Sequence, residues 1–156
     1  MKNLLKATLL LVAVLLAAKP GMAQMIQDPT GWTYEVKKKS GNTYELIFHL
    51  KLQKDWHIWA MKPGGDGFQT PPSFKFDKVA GVEFKGAPVE KGKPVTAVME
   101  GIKGKVTYFS TGLDYIQTVV VTGKGVQITG KHEYQVCNDH VCLPPKNKKF
   151  VFEIKN

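Results

Sequence analysis

Along residues 43–53 the side chains alternate. Tyr44, Leu46, Phe48, Leu50 and Leu52 are apolar, and Thr43, Glu45, His49, Lys51 and Gln53 between them are polar, with Ile47 the one exception. A repeat of two sends every second side chain to the same face, so the segment predicts a strand with one buried face. Ser40-Gly41-Asn42 just before it reads as a turn, which makes residues 32–38 its hairpin partner. Further strands are predicted at Ser73–Phe76 and at residues 82–85, 106–110, 115–122, 126–136 and 149–154, with Gly123-Lys124-Gly125 joining two of them tightly. Residues 61–72 and 87–104 show no such period and read as long functional loops. Beyond the first two dozen residues no window has helical periodicity. Short strands at this spacing predict an all-β domain, an immunoglobulin-like antiparallel β-sandwich.

The start of the chain has a different pattern. Met1-Lys2-Asn3-Leu4-Leu5-Lys6 is a short basic head, residues 7–18 are apolar, and Gly21-Met22-Ala23 has the small-x-small form of a cleavage site. Residues 1–23 are therefore expected to be a signal peptide cut between Ala23 and Gln24, leaving one domain over 24–156 in the periplasm or otherwise exported. The apolar run is too short for a permanent membrane span, and no membrane span is expected after cleavage. No cysteine lies near the cut, so no lipid anchor is indicated.

Charge narrows the partners. The formal net charge is +9, of which Lys2, Lys6 and Lys19 leave with the signal peptide. No basic residue is an arginine, and nucleic-acid readers depend on arginine for bidentate contacts, so no nucleic-acid partner is expected. Lys37-Lys38-Lys39 reads as a solvated approach to the turn. No serine–histidine–acid set or phosphate-binding loop is present, and Thr122-Gly123-Lys124-Gly125 is a hairpin turn.

The chemistry concentrates in Tyr134-Gln135-Val136-Cys137-Asn138-Asp139-His140-Val141-Cys142-Leu143-Pro144-Pro145. Its two cysteines are the only ones in the chain and flank a single tight turn. In an oxidising compartment they are expected as a disulfide. A loop of six residues gains only about 2 kcal/mol from closure, so the pair reads better as a dithiol that opens and closes than as a staple. His140 and Lys146 would favour a thiolate there, and Asp139 would oppose it. Cys137, His140 and Cys142 are soft ligands of the kind copper(I) or zinc takes, but they crowd one turn without a fourth partner, so no metal or other cofactor is expected. His57, between Trp56 and Trp59, reads first as an aromatic edge in a packed cluster. The competing function is a secreted, non-catalytic binding module whose disulfide is structural and whose long loops grip a partner.

Tyr134-Gln135-Val136-Cys137 and Cys142-Leu143-Pro144-Pro145 resemble the Tyr-Gln-x-Cys and Cys-x-Pro-Pro signature of the N-terminal periplasmic domain of the thiol:disulfide interchange protein DsbD family. Lys54-Asp55-Trp56-His57-Ile58-Trp59 is similar to that family's aromatic cluster at the end of an early strand. The resemblance implies an electron relay, a protein-disulfide reductase working with thioredoxin-like or membrane-embedded redox proteins. It implies that Cys142 makes the mixed disulfide with partners and that Cys137 resolves it. It also implies a cap over the cysteines, for which residues 90–102 are the candidate, with Val98, Met99 and Glu100 as contacts. His57, Trp59, Tyr134, His140 and Pro144 complete the expected surroundings. Two features depart from the pattern: the turn is one residue shorter than in better-known members, and no cap aromatic with paired acids is recognisable in 87–104. With no transmembrane carrier or thioredoxin domain expected alongside it, the relay would run between separate proteins.

Overall fold

The computed structural model describes residues 28–155, and the expected signal peptide lies outside them. Eleven strands occupy this span: β1 (Thr30–Ser40), β2 (Thr43–Leu52), β3 (His57–Gly64), β4 (Ser73–Phe76), β5 (Val82–Gly92), β6 (Val95–Val98), β7 (Lys105–Phe109), β8 (Gly112–Val121), β9 (Val126–Tyr134), β10 (Val136–Cys137) and β11 (Lys146–Ile154). All pairings are antiparallel, in sheets ordered β1-β2-β8-β5, β10-β3-β7-β6 and β11-β9-β4. The protein is an all-β, immunoglobulin-like sandwich. Among the described residues no helix is long and apolar enough to cross a membrane.

The alternation read in residues 43–53 becomes β2, and Tyr44, Leu46, Phe48 and Leu50 are buried along it. Its hairpin with β1 pairs Trp32 with Leu50 and Val36 with Leu46. β8 alternates without a break, burying Leu113, Tyr115, Val119 and Val121. Ile128 of β9 and Phe150, Phe152 and Ile154 of β11 meet these side chains from across the sandwich, and Ile58, Ala60 and Phe109 join from the third sheet. Phe48 sits at the middle, with ring centroids 4.8–5.0 Å from Phe74, Phe150 and Phe152.

Three expectations need correction. Residues 87–104 are mostly strand: β5 runs on to Gly92 past an irregularity between Lys85 and Val89, and β6 follows. Gly86 and Pro88 break the local pattern there, because proline gives no ladder donor and glycine weakens a strand. The buried Gln117 of β8 fills the gap, its Nε2 donating to the Lys85, Gly86 and Thr118 carbonyls. Residues 57–64 form a strand, so the predicted 61–72 loop starts inside β3. The predicted strand 126–136 also ends at Tyr134: the chain leaves the β11-β9-β4 sheet at Gln135, and Val136 and Cys137 pair with Ile58 and His57 in another sheet.

Candidate functional site

That change of sheet places the cysteines. Cys137 ends β10, and Cys142 returns as an isolated bridge partner of Cys137, with the Cα atoms 4.0 Å apart and the sulfurs joined in a disulfide. The turn between them is locally determined. Asn138 Oδ1 accepts from the His140 and Val141 amides, the Asn138 amide donates to the Val141 carbonyl, and the Leu143 amide donates to the Val136 carbonyl. An asparagine side chain bonding amides two and three residues on is a standard turn former. Gln135 Nε2 closes the base of the turn by donating to the Leu143 carbonyl, and buried Leu143 anchors the exit. The two sulfurs are unequal: Cys137 is 2 % exposed, whereas Cys142 is open to solvent.

The opposite wall comes from β3. Asp55 adopts the left-handed φ of 67° that Asp tolerates, and the Gln53-to-Trp56 turn delivers His57 and Trp59 to one face of the new strand. Trp59 is 5 % exposed and clusters with Val106 and Cys137, joined at the edge by Met99, Ile102 and Tyr108. Its ring meets His57 edge-on, at a centroid distance of 4.9 Å. The third wall is the tip between β6 and β7, turned by the Ile102 amide donating to the Met99 carbonyl.

His57, Trp59, Met99, Glu100, Ile102, Cys137, Asn138, Asp139 and Cys142 thus enclose an open cleft of about 350 Å³. A second cleft of about 280 Å³ shares Trp59, Ile102 and Cys142 and extends to Asp66, Phe68, Gln69, Gly101 and Gln135. The 64–72 segment is fastened to the tip. Gly64 and Gly65, both at positive φ, pass so close to β7 that a Cβ at Gly64 would lie 2.8 Å from the Lys105 carbonyl oxygen. Asp66 Oδ2 accepts from the Lys103 amide, and Asp66 Oδ1 accepts from Gln69 Nε2. These bonds hold the Asp66 carboxyl below the usual carboxylate range. Phe68, next to this anchor, is 89 % exposed.

Of the residues expected around the cysteines, His57, Trp59, Met99 and Glu100 line the cleft. Val98, Tyr134, His140 and Pro144 do not. Val98 is the last residue of β6 and is 72 % exposed. Tyr134 faces the main core, where its hydroxyl donates to Asp28 Oδ2 at 2.6 Å; burial first, then this bond, raises its pKa. His140 and Pro144 are exposed on the turn and its exit. Glu90 belongs to β5 and not to a cap: its Oε1 accepts from the Met61 amide, and burial raises its pKa. Of residues 90–104, the part that lines the cysteine cleft is the short 99–104 tip, through Met99, Glu100 and Ile102. Ile102 ends the expected 90–102 segment but carries no sign of a contact in the sequence, because it stands alone among Gly101, Lys103 and Gly104.

Burial holds the His57 imidazole below its ordinary pKa, and the Asp139 carboxylate draws it part of the way back. Among the described residues no three His, Cys, Asp or Glu side chains converge to hold a metal ion. A groove of about 360 Å³ on the outer face of β4, β9 and β11, edged by Lys75, Lys131 and Lys149, includes neither cysteine.

The six-residue loop makes the disulfide a minor contributor to stability. Reduction is expected to lower the unfolding free energy by no more than about 2 kcal/mol. Urea unfolding of oxidised and reduced protein measures this, and a loss beyond about 3 kcal/mol would mark the bridge as a staple.

The chain resembles the N-terminal periplasmic domain of ScsB from Proteus mirabilis at 11% identity and a TM-score of 0.58, covering 85% of this chain and 49% of that one. It therefore spans about half the length of that structure. The reduced N-terminal domain of Neisseria meningitidis DsbD aligns at 15% identity and a TM-score of 0.49, covering 80% of this chain and 86% of that one. A Neisseria meningitidis complex between the DsbD N-terminal and PilB N-terminal domains aligns at 13% identity and a TM-score of 0.47, covering 86% of this chain and 87% of that one. No curated protein sequence matches the chain. At these identities the structural likeness is one of fold. The family model described as thiol:disulfide interchange protein DsbD, N-terminal, matches residues 23–154, nearly the whole sequence, and the chain belongs to that family.

Proposed function

We propose that this domain is an exported electron relay that exchanges its Cys137–Cys142 disulfide with partner proteins. Cys142 forms the mixed disulfide and Cys137 resolves it. The observation that carries this reading is the asymmetry of the pair: Cys142 is open to solvent at the junction of two clefts, and Cys137 is enclosed by Trp59 and Val106. A partner thiolate has access to one sulfur, and the other can be reached only from within. The partners are thioredoxin-like or membrane-embedded redox proteins with an exposed dithiol, as suits the family and an oxidising compartment. In the reducing direction the domain takes two electrons from such a dithiol and delivers them to a disulfide on another exported protein. Export with cleavage after Ala23 belongs to the same proposal.

A Cys137→Ala variant, reduced and offered a thioredoxin-like disulfide, is expected to accumulate a stable mixed disulfide at Cys142. The Cys142→Ala variant should form little. Mass mapping of the cross-linked peptide reads the outcome. Cross-links that form only through Cys137 would reverse the roles. Failure of both variants, with a bridge potential below about −300 mV, would leave a binding module with a structural disulfide.

A further inference from the structure

We infer that His57 is the base that receives the Cys137 proton when the internal disulfide closes. The inference rests on the exchange reading above and assigns a residue to its second step. In the β3–β10 pairing, Cys137 stands directly opposite His57. Residues opposed on antiparallel strands project to the same face, with Cβ atoms about 5 Å apart. Both side chains line the cleft that also holds Cys142. His57 is 8 % exposed, and its Nε2 is buried without a hydrogen-bond partner. A buried ring nitrogen left unpaired calls for an explanation, and a proton-accepting role supplies one. In the disulfide-bonded state Cys137 has no proton to offer. The partner is absent because the donor exists only after reduction.

The surroundings fit a base. Trp59 and Tyr108 fix the ring, with centroids 4.9 and 5.1 Å away. The titratable groups facing it are Asp139 from the cysteine turn, Glu100 from the β6–β7 tip, Tyr108 from β7 and the two cysteines. Burial keeps the imidazole neutral at neutral pH, hence able to accept a proton. Asp139 stabilises the imidazolium once it forms. With the partner sulfur bonded to Cys142, the Cys137 thiol gives its proton to His57, and its thiolate attacks Cys142 Sγ. The Cys137–Cys142 bond forms, the Cys142–partner bond breaks, and the partner leaves as a thiolate. Cys137 is oxidised as the sulfur that leaves Cys142 is reduced, and over the two exchanges the cysteine pair passes two electrons to the partner's disulfide.

The aromatic disulfide 5,5′-dithiobis(2-nitrobenzoate) separates the two steps on the reduced full domain. Attack by Cys142 releases one coloured thiolate, and resolution by Cys137 releases the second. With His57→Phe, a ring that the Trp59–Tyr108 cluster can hold, the second phase at pH 7 is expected to slow at least tenfold, within the usual span for a lost general base. The first phase should change less than twofold. The variant's second phase should recover as pH rises, because hydroxide then takes the proton that His57 no longer accepts. Asp139→Asn, at an exposed turn position, should move the low-pH inflection of the second phase downward, because it removes the charge that raises the His57 pKa. A second phase of unchanged rate and pH profile in both variants overturns the inference while leaving the exchange reading intact. Absence of any first-phase attack by Cys142 in the unmodified domain overturns the exchange reading itself.

Discussion

Lowering the pH from 7 to 4 is expected to cost this domain on the order of 3 kcal/mol of stability, mainly through His132. The imidazole lies deep in the sandwich, with ring centroids 4.3 Å from Trp32, 5.6 Å from Tyr134 and 5.8 Å from both Phe48 and Phe74. Its Nε2 shares a 3.0 Å hydrogen bond with the Tyr34 hydroxyl, and its Nδ1 is buried without a partner. Burial, helped by the Lys148 charge, lowers its pKa to about 4. An unfolded histidine binds its proton near 6.5, so between 6.5 and 4 the unfolded chain takes up a proton that the native state refuses. Stability is complete above about 6.5 and falls as the pH drops toward 4. His49 acts in the opposite sense. Partial burial lowers its pKa, but its bonds to Asp114 and Glu35 outweigh this and raise it, and its exposure keeps that contribution small.

Urea unfolding at pH 7, 5 and 4 tests this, with His132→Phe as the control. The variant loses the Tyr34 bond, worth about 1 kcal/mol at neutral pH, but its fall in stability over that window should shrink to the smaller part that buried His57 contributes. Parallel pH profiles for the two proteins would clear His132. Asp28 does not confuse the result. Partial burial raises its carboxyl, but bonds from Tyr134 and Thr30 and the Lys148 charge more than offset this and set it at about 2. Its contribution is therefore lost only from about 3.8 downward.

The sequence reveals elements where a strand has one wet face. β2 buries every second residue against a wetter opposite face, and its alternation is visible without a structure. β8 buries every second residue too, but Ile116 and Val120 on its open face and buried Gln117 mask the period in the sequence. β3 hides because His57, Ile58, Trp59 and Ala60 are all buried, so no alternation survives along its first half. β6 hides for the converse reason, with Val95 and Val98 both exposed on a short strand pairing only with β7. The switch of sheets at Gln135 has no local signature: Val136 continues the apolar face of β9 in sequence, and only the pairing with Ile58 redirects it. The site divides the same way. The cysteine turn is legible because Asn138, two prolines and two cysteines form it locally. Its shield is built from residues some 35 to 80 positions earlier, and Ile102, Asp66 and Gln69 carry no mark of a shared cleft. The resemblance puts His57 near the cysteines, and only the strand register sets it directly opposite Cys137.

Trp59→Ala is expected to have the largest effect of any single change near the cysteines. A buried tryptophan truncated to alanine costs about 3–5 kcal/mol, a large share of the 5–15 kcal/mol typical of a domain. The consequence for chemistry is more specific than the loss of stability. Trp59 lines both clefts and is the buried ring of the Cys137 cluster, so its removal merges the clefts and uncovers the enclosed sulfur. In the reduced wild-type domain, brief alkylation should label Cys142 well ahead of Cys137, because only Cys142 is open to solvent. In the alanine variant, kept folded at low temperature, Cys137 should be labelled at a rate close to that of Cys142. Trp59→Phe should retain most of the difference, because a ring still covers the sulfur. Should Cys137 stay protected in the alanine variant, the shield would have to reside in Met99, Ile102 and Val106. The tryptophan would then be a packing residue with no part in choosing which sulfur meets the partner.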